Sequence, residues 1–106
     1  MKRVIKSKKM IGKKVLIRSY AAGVFFGKLI SKTYTPSGMV VVIEDSRRIH
    51  YWEGAASLSQ VAQEGIMASS RVAMTEPIKE VVNVIEVTPL SEDAISNLEN
   101  QPIWKA

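Results

Sequence analysis

From Lys13 to Glu53 the chain reads as strand-length runs separated by turn signals, and no helical period interrupts them. Consecutive strands joined by short turns pair antiparallel, so a meander is the simplest arrangement they allow. In the first run, Lys13 to Tyr20, Val15 and Ile17 fall on one face and Leu16, Arg18 and Tyr20 on the other. Gly23 opens the second, Val24 to Tyr34, within which Gly27 marks a bulge or a close backbone approach. Thr35-Pro36-Ser37-Gly38 is a tight reversal. Met39 to Ile43 is apolar at every position, as a central strand is, and the polar turn Glu44-Asp45-Ser46 leads to a fourth strand, Arg47 to Glu53.

After Gly54 the period changes. Leu58, Val61 and Ala62 recur at helical spacing, Ser57 and Gln60 form a capping-box pair and Gly65 supplies a stop, which predicts a helix over 57–64. The segment 66–80 fits helix, strand and loop equally. Val81 to Val87 reads as a fifth strand ended by Pro89. Ser91 caps a second helix with Glu92 and Asp93 in its first turn and Ile95 and Leu98 on its apolar face. Pro102 stops it and leaves Ile103 and Trp104 as a tail that can pin back on the sheet. The expected class is α+β: an antiparallel meander of about five strands with two short helices packed on one face. Val15, Ile17, Val24, Leu29, Val41, Ile43, Ile49, Leu58, Val61, Ile85 and Leu98 occupy the apolar phase of these elements and are the expected core.

The charge is divided along the chain. Residues 1–43 hold ten basic side chains and no carboxylate, and the remaining 63 hold five basic and ten acidic ones, so +10 stands against −5. At physiological salt such a field reaches only about 8–10 Å, so it acts on what touches the surface. An anionic partner is implied: nucleic acid, a nucleotide, an acidic protein, or the acidic half of a second copy. Residues 1–11 read as a basic N-terminal arm and 12–106 as a single domain. The absence of cysteine removes disulfides and thiolate chemistry. No signal-peptide or membrane-spanning run is present, which makes a soluble intracellular protein the expectation, with no membrane partner.

Catalytic patterns are missing as well. His50 is the single histidine, without companions at metal-ligand spacing, and no nucleophile elbow or phosphate loop occurs. The expectation is a non-enzymatic protein with no cofactor and no metal. The best candidate site is Arg47-Arg48-Ile49-His50-Tyr51-Trp52, where Arg48, His50 and Trp52 share one strand face and Arg47, Ile49 and Tyr51 the other. Guanidinium groups beside an indole hold a phosphate and stack a base. Trp52 as core with an arginine lying over it is the bland alternative. The two readings balance for Arg47 and Arg48, whereas Ile49 and Tyr51 read as core. Arg18, Tyr20, Phe25 and Lys28, on neighbouring strands, extend the candidate surface.

The stretches Val15 to Leu29 and Arg47 to Leu58, the latter running Arg-Arg-Ile-His-Tyr-Trp-Glu-Gly-Ala-Ala-Ser-Leu, resemble a family of small tailed-phage and prophage proteins catalogued as a domain of unknown function. Pro102-Ile103-Trp104 is similar to that family's closing tail, and the likeness spans roughly 13–66 and 82–105. It implies a phage accessory protein acting in the cytoplasm of the infected bacterial host. In size the chain also resembles the Thoeris anti-defence sponges, assemblies that sequester nucleotide second messengers. Three readings follow: a homo-oligomer that sequesters a cyclic-nucleotide or ADP-ribose-type signal, a nucleic-acid-binding protein using the basic half, and an inhibitor or adaptor that binds a host protein. The charge division also implies self-association into a dimer or larger assembly.

Overall fold

In a computed structural model, residues 10–106 are described. Five antiparallel strands and two short helices make an α+β fold: β1 (Lys14–Ser19), β2 (Gly23–Thr35), β3 (Gly38–Tyr51), α1 (Leu58–Glu64), β4 (Arg71–Val72), β5 (Glu76–Pro89) and α2 (Glu92–Glu99). The first three strands follow the meander. The long return strand β5 then pairs with both β1 and β3, so the pairings β1–β2–β3–β5–β1 form a closed ring with β4 attached to the end of β3. Ring closure removes most free sheet edge.

The core has two compartments, on opposite faces of the same strands. Inside the ring lie Val15, Ile17, Phe25, Leu29, Val41, Ile43, Val81 and Val84. Outside, Leu16, Phe26 and Ile49 pack beneath Val61 and Ala62 of α1, Leu98 of α2, and Ile66 and Val72. Period-2 alternation along β1 and β2 supplies both compartments. Both helices start as the sequence indicates. The Ser57 hydroxyl accepts from the Gln60 amide at 3.2 Å, and Ser91 accepts from Ala94 at 3.0 Å while donating to the Gln63 carbonyl at 2.6 Å, which fastens α2 to the end of α1.

Bulges account for the departures from expectation. Glu44-Asp45-Ser46 is no turn between two strands: β3 runs through it, with Asp45 at φ 52° as the extra residue opposite β2. The bulge inverts side-chain phase, so Val41 and Ile43 enter the ring whereas Arg47 and Ile49 face the helices. Gly27 makes the close approach expected of it, since a Cβ there would lie 3.1 Å from the Glu44 carbonyl and from Ser46. On β5 the register slips where Arg18 and Ser19 pair with Glu86 and Val84. Ile85 is left unpaired and 48% exposed, contrary to its expected burial, and Val84 takes its place in the ring. Val24 and Leu58 are half-buried at the edge of the helix compartment. The ambiguous segment contains β4 and the start of β5. Of the basic arm, residues 1–9 lie outside the described residues, and Met10 packs against the ring interior.

Candidate ligand-binding edge

The eight expected site residues do not converge. Arg47 is 5% exposed, and its guanidinium donates only to backbone carbonyls. Nε reaches Ala73 at 2.7 Å. Nη1 reaches Leu98 at 3.2 Å, Glu99 at 3.4 Å and Gln101 at 3.0 Å, and Nη2 reaches Val72 at 3.2 Å and Pro102 at 3.4 Å. Its five N–H groups thus satisfy the open carbonyls at the end of α2, along β4 and in the tail, with the cation at the negative end of a helix. Burial holds its pKa below the usual arginine value. No donor is left for a ligand, so Arg47 belongs to the scaffold. Trp52 likewise packs against the helix compartment, and its Nε1 donates to the Ala55 carbonyl at 3.3 Å.

Arg18 faces Glu86 at 3.4 Å across β1 and β5. Tyr20 is 85% exposed in the turn between β1 and β2. Lys28 lies opposite Lys14 on one side and Glu44 on the other, and lines a pocket of about 80 Å³ whose rim also holds Asp45 and Glu99. Lys14 pairs with Glu99. Part of the divided charge is therefore resolved within one chain, because β1 returns to lie against β5 and α2. Phe25 is buried inside the ring with the Arg48 guanidinium 4.6 Å from its ring centroid and the Lys79 ammonium at 6.0 Å. Lys79 is paired with Glu76 at 2.7 Å. Arg48 has no carboxylate partner among the described residues, and its Nε is buried without an acceptor.

A different grouping forms at the far end of β3. The tail returns along β4, with Ile103 bridging Val72 in parallel and the Trp104 amide donating to the Val72 carbonyl at 2.9 Å. This places the Trp104 indole 5.1 Å from the His50 imidazole, centroid to centroid, at 52° between planes. Arg71, on β4 opposite Tyr51, sets its guanidinium carbon 5.6 Å from the Tyr51 ring and 5.5 Å from the Trp104 ring. Both rings are close to half exposed. At these distances the cation is attracted by the ring quadrupoles. Among the described residues no carboxylate pairs with Arg71. The nearby Glu53 carboxylate is engaged elsewhere: it accepts from the Tyr51 hydroxyl at 2.8 Å, and hydrogen bonds from Ser69 and Tyr51 hold its pKa below the ordinary carboxylate value. The same bond, with the adjacent negative charge, raises the Tyr51 pKa, so this phenol stays neutral.

Of the expected residues, His50 is therefore the one that joins this edge, with Arg48 two residues before it on β3. Arg71, Tyr51 and Trp104 were not foreseen in that role. Arg71 sits in the segment without period, Tyr51 reads as core, and only the tail's tendency to return to the sheet pointed to Trp104. The arrangement can stack a planar ring and hold an anion beside it. Among the described residues, no group of three or more potential ligands could bind a metal ion, and no helix is long and apolar enough to cross a membrane.

A small closed ring of antiparallel strands with one helix-covered wall and an aromatic, cationic edge defines a compact α+β domain. The chain belongs to the family described as a domain of unknown function (DUF6948), whose model matches residues 12–98. No curated protein and no solved structure matches the chain.

Proposed function

We propose that the chain is a non-enzymatic binding protein that takes up an anionic nucleotide at the edge formed by His50, Tyr51, Arg71 and Trp104. The observation that carries this reading is Arg71: its guanidinium lies against two exposed aromatic rings and has no carboxylate partner among the described residues. A base stacks on the indole while a phosphate accepts from the guanidinium edge, so each half of a nucleotide meets the chemistry that recognises it. The phage setting implied by the sequence resemblance gives such binding a use: sequestration of a cyclic-nucleotide or ADP-ribose-type immune signal in the cytoplasm of an infected bacterium.

Calorimetric titration of the intact protein with cyclic dinucleotides and ADP-ribose tests the reading. Arg71→Ala is expected to weaken binding by about 1.5–3 kcal/mol, the scale of a lost charge-assisted hydrogen bond, and Arg71→Lys to recover part of it. Trp104→Ala is expected to lose the stacking contribution of about 1–3 kcal/mol. Absence of heat with every nucleotide, or affinity unchanged in the Arg71/Trp104 double variant, refutes nucleotide binding at this edge. Steep salt-dependent binding of single-stranded nucleic acid in its place would assign the chain to the nucleic-acid class.

A further inference from the structure

Arg48 stands where β3 changes partner. Ser46 is the last residue of β3 paired with β5, opposite Glu76, and Ile49 is already paired with β4, opposite Val72. On its β2 side Arg48 is opposite Phe25, with its guanidinium carbon 4.6 Å from that ring's centroid. The Lys79 ammonium lies 6.0 Å from the same centroid. Phe25 is 1% exposed, whereas Arg48 is half-buried and the Lys79 side chain 25% exposed. A covered aromatic ring therefore lies beside two cations that are both partly open to solvent.

Hydrogen bonding along this stretch is incomplete. Arg48 Nε is buried without an acceptor, and Ser46, 1% exposed, has a hydroxyl without a partner. Arg47 between them faces the helices, so strand alternation turns Ser46 and Arg48 to the same side of β3, about 6.6 Å apart along the strand. Buried polar groups are nearly always paired with protein, water or an ion. The chain supplies no charged acceptor: all ten of its carboxylate side chains lie at Glu44 or beyond, and none of them pairs with Arg48. Glu76 is bonded to Lys79 at 2.7 Å, which leaves the guanidinium as the uncompensated charge.

We infer that Arg48, Lys79 and Ser46 form a binding site for a tetrahedral oxyanion, a phosphate group either free or carried on a larger molecule. Arginine offers such a group paired N–H donors, lysine a compact charge and serine a hydroxyl. Attraction to the Phe25 ring keeps both cations beside it. Three separate donor groups suit a ligand with more than two acceptor oxygens, which favours phosphate over a carboxylate. None of these residues belongs to the edge formed by His50, Tyr51, Arg71 and Trp104, so the inference goes beyond the nucleotide reading and does not depend on it.

Differential scanning calorimetry of the full chain, in chloride and in phosphate at equal ionic strength, tests it. The wild-type melting temperature is expected to rise by roughly 8 °C in about 20 mM phosphate, the shift given by a site with a dissociation constant of about 1 mM. Arg48→Met keeps an apolar stem against Phe25 and removes the donors, and is expected to lose most of that rise, as is Lys79→Met. Glu76→Gln removes the competing carboxylate and is expected to enlarge it. Arg71→Ala, a change at the nucleotide edge, is expected to keep it. Heteronuclear NMR of the wild-type chain needs no variant: the Arg48 Nε–H signal is expected to shift as phosphate is added. Phenyl phosphate separates the two sources, since a rise at least as large assigns the site to a phosphate carried on a larger molecule and a smaller one assigns it to the free ion. A wild-type chain that melts alike in phosphate and chloride, an unmoved Arg48 signal, or Arg48→Met responding as wild type does overturns the inference.

Discussion

Replacing Arg47 tests most directly whether the arginine pair of β3 is one site or two residues with separate tasks. Four of its six carbonyl contacts are at 3.2 Å or shorter and two at 3.4 Å. Five N–H donors cannot give every one of six acceptors a full bond, so the two long contacts are shared and weak. Arg47→Met keeps the hydrophobic stem and removes every donor. Each lost bond from a charged group is worth about 1.5–3 kcal/mol alone, but the bonds are not additive and the freed carbonyls at the end of α2 partly rehydrate. The desolvation cost of the buried cation, visible in its lowered pKa, is also relieved. Together these give a net destabilisation of about 3–5 kcal/mol. A chain of 106 residues unfolds with an entropy of about 0.22 kcal/mol per kelvin, so the melting temperature should fall by roughly 14–22 °C. Arg47→Lys keeps the charge but offers a single nitrogen, and should recover less than half. Differential scanning calorimetry is the assay, and a fall of less than about 3 °C for Arg47→Met, below 1 kcal/mol on that scale, would refute the scaffold role. Arg48→Met is the contrast: with no hydrogen-bonded network to lose among the described residues, it should cost under about 2 kcal/mol, mainly its contact with Phe25.

Two further outcomes follow from local geometry. Gly65 ends α1 at φ 85°, and a Cβ there would lie 2.2 Å from the Asn97 Oδ1 that accepts from the Ile66 amide at 2.8 Å. Gly65→Ala combines a disfavoured backbone with a displaced buried hydrogen bond, so chemical denaturation should show a loss of about 2–4 kcal/mol, and a loss under 1 kcal/mol would contradict the clash. Glu53, whose folded pKa is depressed by the Ser69 and Tyr51 hydroxyls, stabilises the fold at pH values above the ordinary carboxylate pKa of about 4.3. That contribution should disappear as pH falls through the lower folded value. A carbon-detected titration of the Glu53 carboxyl with a midpoint at or above the ordinary value would disprove it.

Much of the fold is legible in the sequence because period-2 alternation and turn chemistry act locally. The Thr35 to Gly38 reversal, the Ser57 and Ser91 caps and the Gly27 approach each depend on residues within a few positions of one another. Bulges are less visible. One extra residue at Asp45 or Ile85 inverts a strand's phase without altering its composition, so Ile85 reads as core, and alternation separates Arg47 from Arg48 without telling which of the two faces the helices. The role of Arg47 depends on partners 25 to 55 residues away in the chain. The proposed ligand edge is hidden for a related reason. β4 is two residues long, too short for any periodicity to register, and Arg71 acquires meaning only when Tyr51 from one side and the returning Trp104 from the other bring their rings to it.

The charge division is the most visible feature of the chain, and its meaning changes once the fold is known. In the sequence, ten cations against a carboxylate excess imply an external anion. In three dimensions Lys14 meets Glu99, and Arg18 meets Glu86. Exposed pairs of this kind contribute only about 0–1 kcal/mol each, so their significance lies less in stability than in neutralising a surface that net charge alone would assign to a partner. What remains for an anionic ligand is a matter of placement. A lysine in water presents a hydrated and mobile point charge, whereas the Arg71 guanidinium lies against two aromatic rings, and on the proposed function that placement is what an anionic ligand would meet. The proposed function therefore rests on one placed guanidinium and not on the sum of the charges.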